Sequence, residues 1–191
     1  MYRKVKFWSI TGVTGMGVAT CALAIYAIFL QITNNFHTVI PGELYRSAQP
    51  TSTEIRAYQQ DYNIKTIINL RGPNQNRQWY IDEVAESGKL NITHIDFDMS
   101  AGRELTEADA QRLIAIFREV QKPILLHCQG GADRSGLASA LYLAAVAKSG
   151  EESAEKQISL RYGHLSVPGT AAYPIDCSWE KMEPYLGFQD S

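Results

Sequence analysis

Cys128 and Arg134 are separated by five residues within the stretch Ile124 to Gly136, ILLHCQGGADRSG. A cysteine thiolate is a strong nucleophile, and a guanidinium offers a planar fork of donors that matches two oxygens of one phosphate. The apolar run Ile124-Leu125-Leu126 predicts a short buried strand, and residues from about Ser135 to Lys148 predict a helix. The loop between them therefore ends at a helix N-terminus, where unpaired backbone N–H groups can bind a phosphate dianion. On this reading Gln129, Gly130, Gly131, Ala132 and Asp133 form the phosphate cradle together with Arg134, and Gly130 and Gly131 let its backbone curl. The helix dipole, the N–H groups and the Arg134 cation all favour thiolate over thiol at Cys128. Ser135 can donate its hydroxyl to the sulfur and ease its departure. His127 is expected to hold the loop by hydrogen bonds rather than to act as a base.

Phosphate-ester cleavage also needs an acid for the leaving oxygen. Asp98 is the leading candidate, because it follows a predicted strand, Ile92 to Phe97, and begins a loop containing Gly102. Asp96 is the second candidate, although alternation with Ile95 and Phe97 turns it to another face; Glu104 and Glu107 are more distant ones. A bare Cys-x5-Arg spacing says little by itself. Cys128 could be a small buried hydrophobe, Arg134 a surface ion-pair partner and Asp98 a solvated cap. The preceding strand, His127, the loop glycines, Ser135-Gly136, the following helix and the upstream acid together favour the catalytic reading.

The elements that must position these residues are legible in the same way. Thr38-Val39-Ile40 and Leu44-Tyr45-Arg46 flank the turn pair Pro41-Gly42, and Ile64 to Leu70 is a β-branched run of strand length. Thr51 or Ser52 can cap a helix to about Tyr62, and a further helix is predicted over Gln78 to Ser87. Thr106 to Asp109 has capping-box spacing, followed by an amphipathic stretch to about Val120. Glu151 to Tyr162 reads as helical, and Tyr173 to Ser191 carries no assigned role. Strands alternating with helices predict an α/β domain whose central, mostly parallel sheet is flanked by helices.

These residues resemble the cysteine-dependent protein tyrosine phosphatase superfamily, in its compact dual-specificity-like branch found in bacteria, plants and fungi. HCQGGADRSG, LYRSAQP (Leu44 to Pro50) and Ile68-Asn69-Leu70-Arg71 carry the likeness, which spans about Thr38 to His164. It implies a phosphocysteine intermediate, no metal and no cofactor. It places the nucleophile on Cys128, the clamp on Arg134, the loop hydroxyl on Ser135 and the acid on Asp98. Relatives acting on highly phosphorylated inositols tend to carry a base in the loop, where this chain has Gln129, Ala132 and the acidic Asp133; a multiply charged substrate is therefore disfavoured on sequence.

The 191 residues suit one catalytic domain plus an appendage, and 18 basic against 20 acidic residues give no reason to expect nucleic acid as a partner. Cys21, Cys128 and Cys177 are too few and too far apart for a disulfide framework or a paired-cysteine zinc site, although Cys177 could form a redox pair with Cys128. Residues 1–6 carry Arg3, Lys4 and Lys6, and from Phe7 no charged side chain follows until Glu43. This pattern predicts a basic cytoplasmic N-terminus, a transmembrane signal-anchor over residues 7–32 and a phosphatase domain over residues 33–191 on the outer, periplasmic face. A signal peptide cleaved after Ala22-Leu23-Ala24 and a buried core helix are the competing readings. The expected substrate is a phosphotyrosine-bearing protein, with a membrane phospholipid or phosphoinositide as the alternative. A rhodanese-like sulfurtransferase and a non-catalytic phosphate-binding module are the readings from other classes.

Overall fold

The β-branched and aliphatic runs become the strands of one five-stranded sheet, seen in a computed structural model that describes residues 20–188. The strands are β1 (His37–Ile40), β2 (Leu44–Ser47), β3 (Thr66–Asn69), β4 (Thr93–Asp96) and β5 (Ile124–His127), in the order β1-β2-β5-β3-β4. Only β1 runs antiparallel, paired with β2 across the Pro41-Gly42 turn; β2, β5, β3 and β4 are parallel. Their register puts Ser47, His127, Asn69 and Asp96 in one row at the carboxyl ends. Loops leaving this edge of a parallel sheet converge, which is where ligands bind in such folds. Cys128 is the first residue beyond the row, on the strand that lies in the middle of the sheet.

Helix α1 covers residues 20–32, followed by α2 (Ser52–Tyr62), α3 (Gln78–Lys89), α4 (Glu107–Glu119), α5 (Asp133–Tyr142), α6 (Glu151–Glu155) and α7 (Pro174–Leu186). Thr51 and Glu54 close a reciprocal capping box on α2, and the Thr106 hydroxyl accepts from the Asp109 N–H on α4. Alternation along the strands sends Tyr45, Ile67 and Leu125 to one face, where they meet Ile55 of α2, Ile64 and Ile92. Leu44, Ile68, Ile124 and Leu126 face the other side against α4, α5 and α7, in the larger core.

The expected α/β architecture is present, and the differences lie in the helices. Helix α5 begins at Asp133, two residues earlier than expected, and passes into a π-helical turn, Leu143–Ala147. The helix expected over Glu151 to Tyr162 breaks into α6 and a 3₁₀ turn, Leu160–Tyr162, because the buried Gln157 leaves the helical path to bond Arg46. Residues 174–186, unassigned on sequence, form a helix with Pro174 at its start and Ile175, Ser178, Trp179 and Met182 buried on one face.

The expected basic N-terminus and much of the expected span, residues 1–19, lie outside the described residues. Among the described residues no helix is long and apolar enough to cross a membrane. Residues 33–36, at the start of the expected phosphatase domain, are part of the fold, with Asn35 buried and Phe36 stacked on Tyr45 and Tyr58.

Trp179 is 3% exposed in the main core. Trp179→Ala should destabilise the fold by ~3–5 kcal/mol, the usual cost of truncating a buried aromatic side chain, measured by chemical or thermal unfolding.

Candidate active site

None of the backbone N–H groups from Gln129 to Ser135 has a backbone partner among the described residues; Gly136, bonded to the Ala132 carbonyl, is the first to join the helix. A loop that turns its N–H groups toward one side must turn its carbonyls to the other, and buried carbonyls need donors. Each carbonyl has one. The Gln49 N–H donates to Gln129 at 3.3 Å, Asn35 Nδ2 to Gly130 at 2.9 Å, and Arg46 Nη2 to both Gly131 and Ala132 at 2.9 Å. Gly131 holds φ +70, and a Cβ there would sit 2.7 Å from the Ala48 nitrogen, so no other residue fits. At Gly130 a Cβ would meet nothing within 4 Å, so only one of the two loop glycines is required by the backbone path.

Cys128 lies at the base of this loop, 2% exposed, with its sulfur 3.5 Å from the Ser135 hydroxyl. Arg134 keeps its fork at the same place: Nη1 approaches the carbonyls of Leu70 and Met99 at 3.4 Å each, and Nε is buried without a partner among the described residues. Among the described residues no carboxylate pairs with Arg134, so the ion-pair alternative for it is overturned.

The two candidate acids separate clearly. Asp96 accepts from Asn69 Nδ2 at 2.8 Å and from the Tyr80 hydroxyl at 2.5 Å, so both its oxygens are committed. Asp98 is exposed, and no hydrogen bond or ion pair engages its carboxylate among the described residues. Its side chain rests on Gly72, where a Cβ would come within 2.9 Å of the Asp98 Cβ, and the Met99 carbonyl beside it takes the contact from Arg134. Glu104 is paired with Lys181, and Glu107 accepts from Gln111 on the outer face of α4, so neither reaches the loop.

His127 is fully buried and bonds Glu83 through Nε2 at 2.9 Å, in keeping with a supporting role. Glu83 also takes His94 Nε2 at 2.7 Å and the Gln49 side chain. Burial alone would raise its pKa, but the bonds and charges of His127 and His94 outweigh this and hold it at about 2. Asp133 does not direct its carboxylate at the loop centre. It bonds His164 Nδ1 at 2.8 Å, and Asp176 of α7 takes Nε2 at 3.0 Å. The Asp133 carboxylate is thus paired with His164, while Gln129, Ala132 and Asp133 still offer no basic side chain in the loop. Cys128 and Cys177 are both free thiols.

Sequence reasoning missed Arg46, Asn35, Glu83, His164 and Arg71. Arg46 is fully buried, bonds the Gln157 carbonyl and Oε1 as well as the loop, and lies 4.1 Å from the Tyr162 ring. Burial lowers its pKa to about 10, which leaves it charged. Its position within LYRSAQP was the available signal, because a charged residue at an inward-facing strand position is rarely buried without a task.

A cysteine at the base of a loop with free N–H groups, at the carboxyl edge of a parallel sheet, is the arrangement expected of a cysteine-dependent phosphatase. A model of the tyrosine phosphatase family matches residues 30–155, and the chain belongs to that family. It is thus a phosphatase, a hydrolase. No curated protein matches the chain in sequence. Among solved structures, Pseudomonas aeruginosa TpbA superposes with a TM-score of 0.60 at 20% identity, covering 81% of this chain and 92% of its own. The core catalytic domain of the Saccharomyces cerevisiae PP-IP phosphatase SIW14 gives 0.58 at 19%, covering 82% and 94%. PTPMT1 gives 0.57 at 17%, covering 80% and 98%. At these identities the likeness establishes the fold alone.

Burial opposes a charge on His164, but Asp133 and Asp176 outweigh it and raise its pKa above the ordinary 6.5. A raised folded-state pKa stabilises fully below the unfolded value and is lost as pH rises through the folded one. The stability gap between the wild type and His164→Asn should therefore be largest below pH 6.5 and shrink at higher pH. A gap independent of pH in thermal melts would show that no charge is involved.

Proposed function

We propose that the protein dephosphorylates phosphotyrosine-bearing proteins through a phosphocysteine intermediate. The observation that carries this reading is the run of N–H groups from Gln129 to Ser135 without backbone partners, in the loop that follows Cys128 and ends at Ser135 beside its sulfur, together with an Arg134 that no carboxylate pairs among the described residues. The Cys128 thiolate attacks phosphorus, the S–P bond forms as the P–O bond to tyrosine breaks, and Asp98 gives its proton to the departing phenoxide. Asp98, now a carboxylate, takes a proton from water as that water attacks phosphorus. The S–P bond breaks, and the Ser135 hydroxyl donates to the leaving sulfur. Asp98 suits both steps because its oxygens are uncommitted, whereas those of Asp96 are held.

TpbA has been solved in complex with phosphotyrosine, and this supports a phosphotyrosyl substrate. A membrane phospholipid phosphate is the second reading, since PTPMT1 has been solved with PI(5)P and the exposed Leu23, Ile25, Ile28, Phe29 and Ile32 of α1 give this chain an apolar surface. We also propose that residues 7–32 tether the domain to a membrane, with the N-terminus cytoplasmic and the catalytic domain periplasmic. The uncharged stretch from Phe7 to Gly42 after three basic residues supports it.

The purified protein should hydrolyse an aryl phosphate in the presence of a chelator, and Cys128→Ser should abolish that turnover. Asp98→Asn should reduce it by roughly 10²–10⁴-fold, the usual contribution of a positioned acid, whereas a sulfurtransferase would lose nothing. A higher kcat/KM on phosphoinositide vesicles than on phosphopeptides would favour the lipid reading. A periplasm-dependent reporter fused after Ser191 should be active, and activity of only a cytoplasm-dependent one would reverse the topology.

A further inference from the structure

Arg71 is a second guanidinium at the mouth of the same site. It follows Leu70, whose carbonyl takes Arg134 Nη1 at 3.4 Å, and precedes Gly72, against which Asp98 rests. Its Cζ lies 3.7 Å from the centroid of the Trp79 ring, and its Nη1 donates to Gln49 Oε1 at 2.8 Å. Gln49 is itself bonded to the loop at Gln129. The ring contact and the bond to Gln49 hold the guanidinium in place, and that one hydrogen bond uses one of its five donors. Among the described residues no carboxylate pairs with Arg71. The nearby Glu83 is spent on His127, His94 and Gln49, and Asp133 on His164. Burial and then the charge of Arg134 push the Arg71 pKa down, and Cys128 pulls it up, as their shared position requires.

The scissile phosphate is already met by Arg134 and the loop N–H groups. A second fixed cation, half-buried at the rim and lacking a counter-charge, is suited to a different anion on the same substrate. We propose that Arg71, braced by Trp79 and Gln49, forms a subsite for a second anionic group close to the scissile phosphate: an acidic side chain flanking the phosphotyrosine. This inference rests on the phosphotyrosine reading.

The test compares two phosphotyrosyl peptides that differ only in Asp or Asn at the flanking positions. The full-length wild type should favour the Asp peptide by about tenfold in kcat/KM, the effect expected of one charge-assisted hydrogen bond. In Arg71→Gln the ratio between the two peptides should fall to about one, and in Trp79→Leu it should fall in the same direction. The preference should also weaken with added salt. An equal loss on both peptides, with the ratio intact, would assign Arg71 to the scissile phosphate and overturn the subsite. An unchanged ratio in a well-folded Arg71→Gln would overturn it as well. Absence of Cys128-dependent turnover of any aryl phosphate would instead refute the phosphatase reading, so the two failures are distinguishable.

Discussion

A peptide loop can aim its N–H groups at an anion only if something else takes its carbonyls. In this chain that requirement is met by one short segment, Asn35 to Gln49, which supplies a donor to each of the carbonyls of Gln129, Gly130, Gly131 and Ala132. Arg46 is the strongest of these donors, since a charged group makes hydrogen bonds about twice as strong as a neutral one. It is also buried without a carboxylate, so its charge is met by carbonyl dipoles, the Tyr162 ring and the nearby Cys128 and Asp133. Removing it would leave buried acceptors unpaired in the loop on which the chemistry depends.

The carboxylates around the loop follow the same logic. Asp133 is drawn back to His164, Glu83 to two histidines, and Asp96 to Tyr80 and Asn69, where it helps raise the Tyr80 pKa to about 12 after burial has begun the shift. Each would repel a phosphate dianion if it faced the cradle. Tying them to partners leaves Asp98, on the loop whose Met99 carbonyl contacts Arg134, as the carboxylate that no hydrogen bond or ion pair commits. The field that favours an anion thus comes as much from where negative charge is held as from where positive charge is offered.

Much of this was legible in the sequence because it depends on local pattern. β-Branched runs, a capping box and a Cys-x5-Arg loop are local signals, and the strands, α2, α4 and the Cys128, Arg134 and Ser135 positions follow from them. What was not legible depends on contacts between distant segments. Arg46 reads as one more polar residue in a hairpin until its partners 85 to 111 positions away are known. The choice between Asp98 and Asp96 turns on Asn69 and Tyr80, which no spacing rule connects. The break after α6 arises from Gln157 serving Arg46, a demand set outside the segment. That the Asp133 carboxylate is paired could not be read either, because His164 lies 31 positions away on another segment.

Helix α7 shows how far such distant contacts reach. On sequence it had no assigned role, yet it touches both halves of the site. Asp176 completes the clamp on His164 that orients Asp133 at the start of α5, and so braces the loop bearing Cys128. Two residues on, the Ser178 hydroxyl accepts from the Leu105 N–H at 2.9 Å, and Lys181 pairs with Glu104, which anchors the far end of the loop that carries Asp98. In the proposed mechanism Cys128 and Asp98 must keep their separation through two chemical steps, although Asp98 sits on an exposed loop over a cavity of about 150 Å³. One helix bonded to both segments supplies that common reference, and its burial through Ile175, Trp179 and Met182 ties the reference to the core. On that mechanism the C-terminal helix is part of what sets the geometry of the reaction, through its bonds to His164, Leu105 and Glu104.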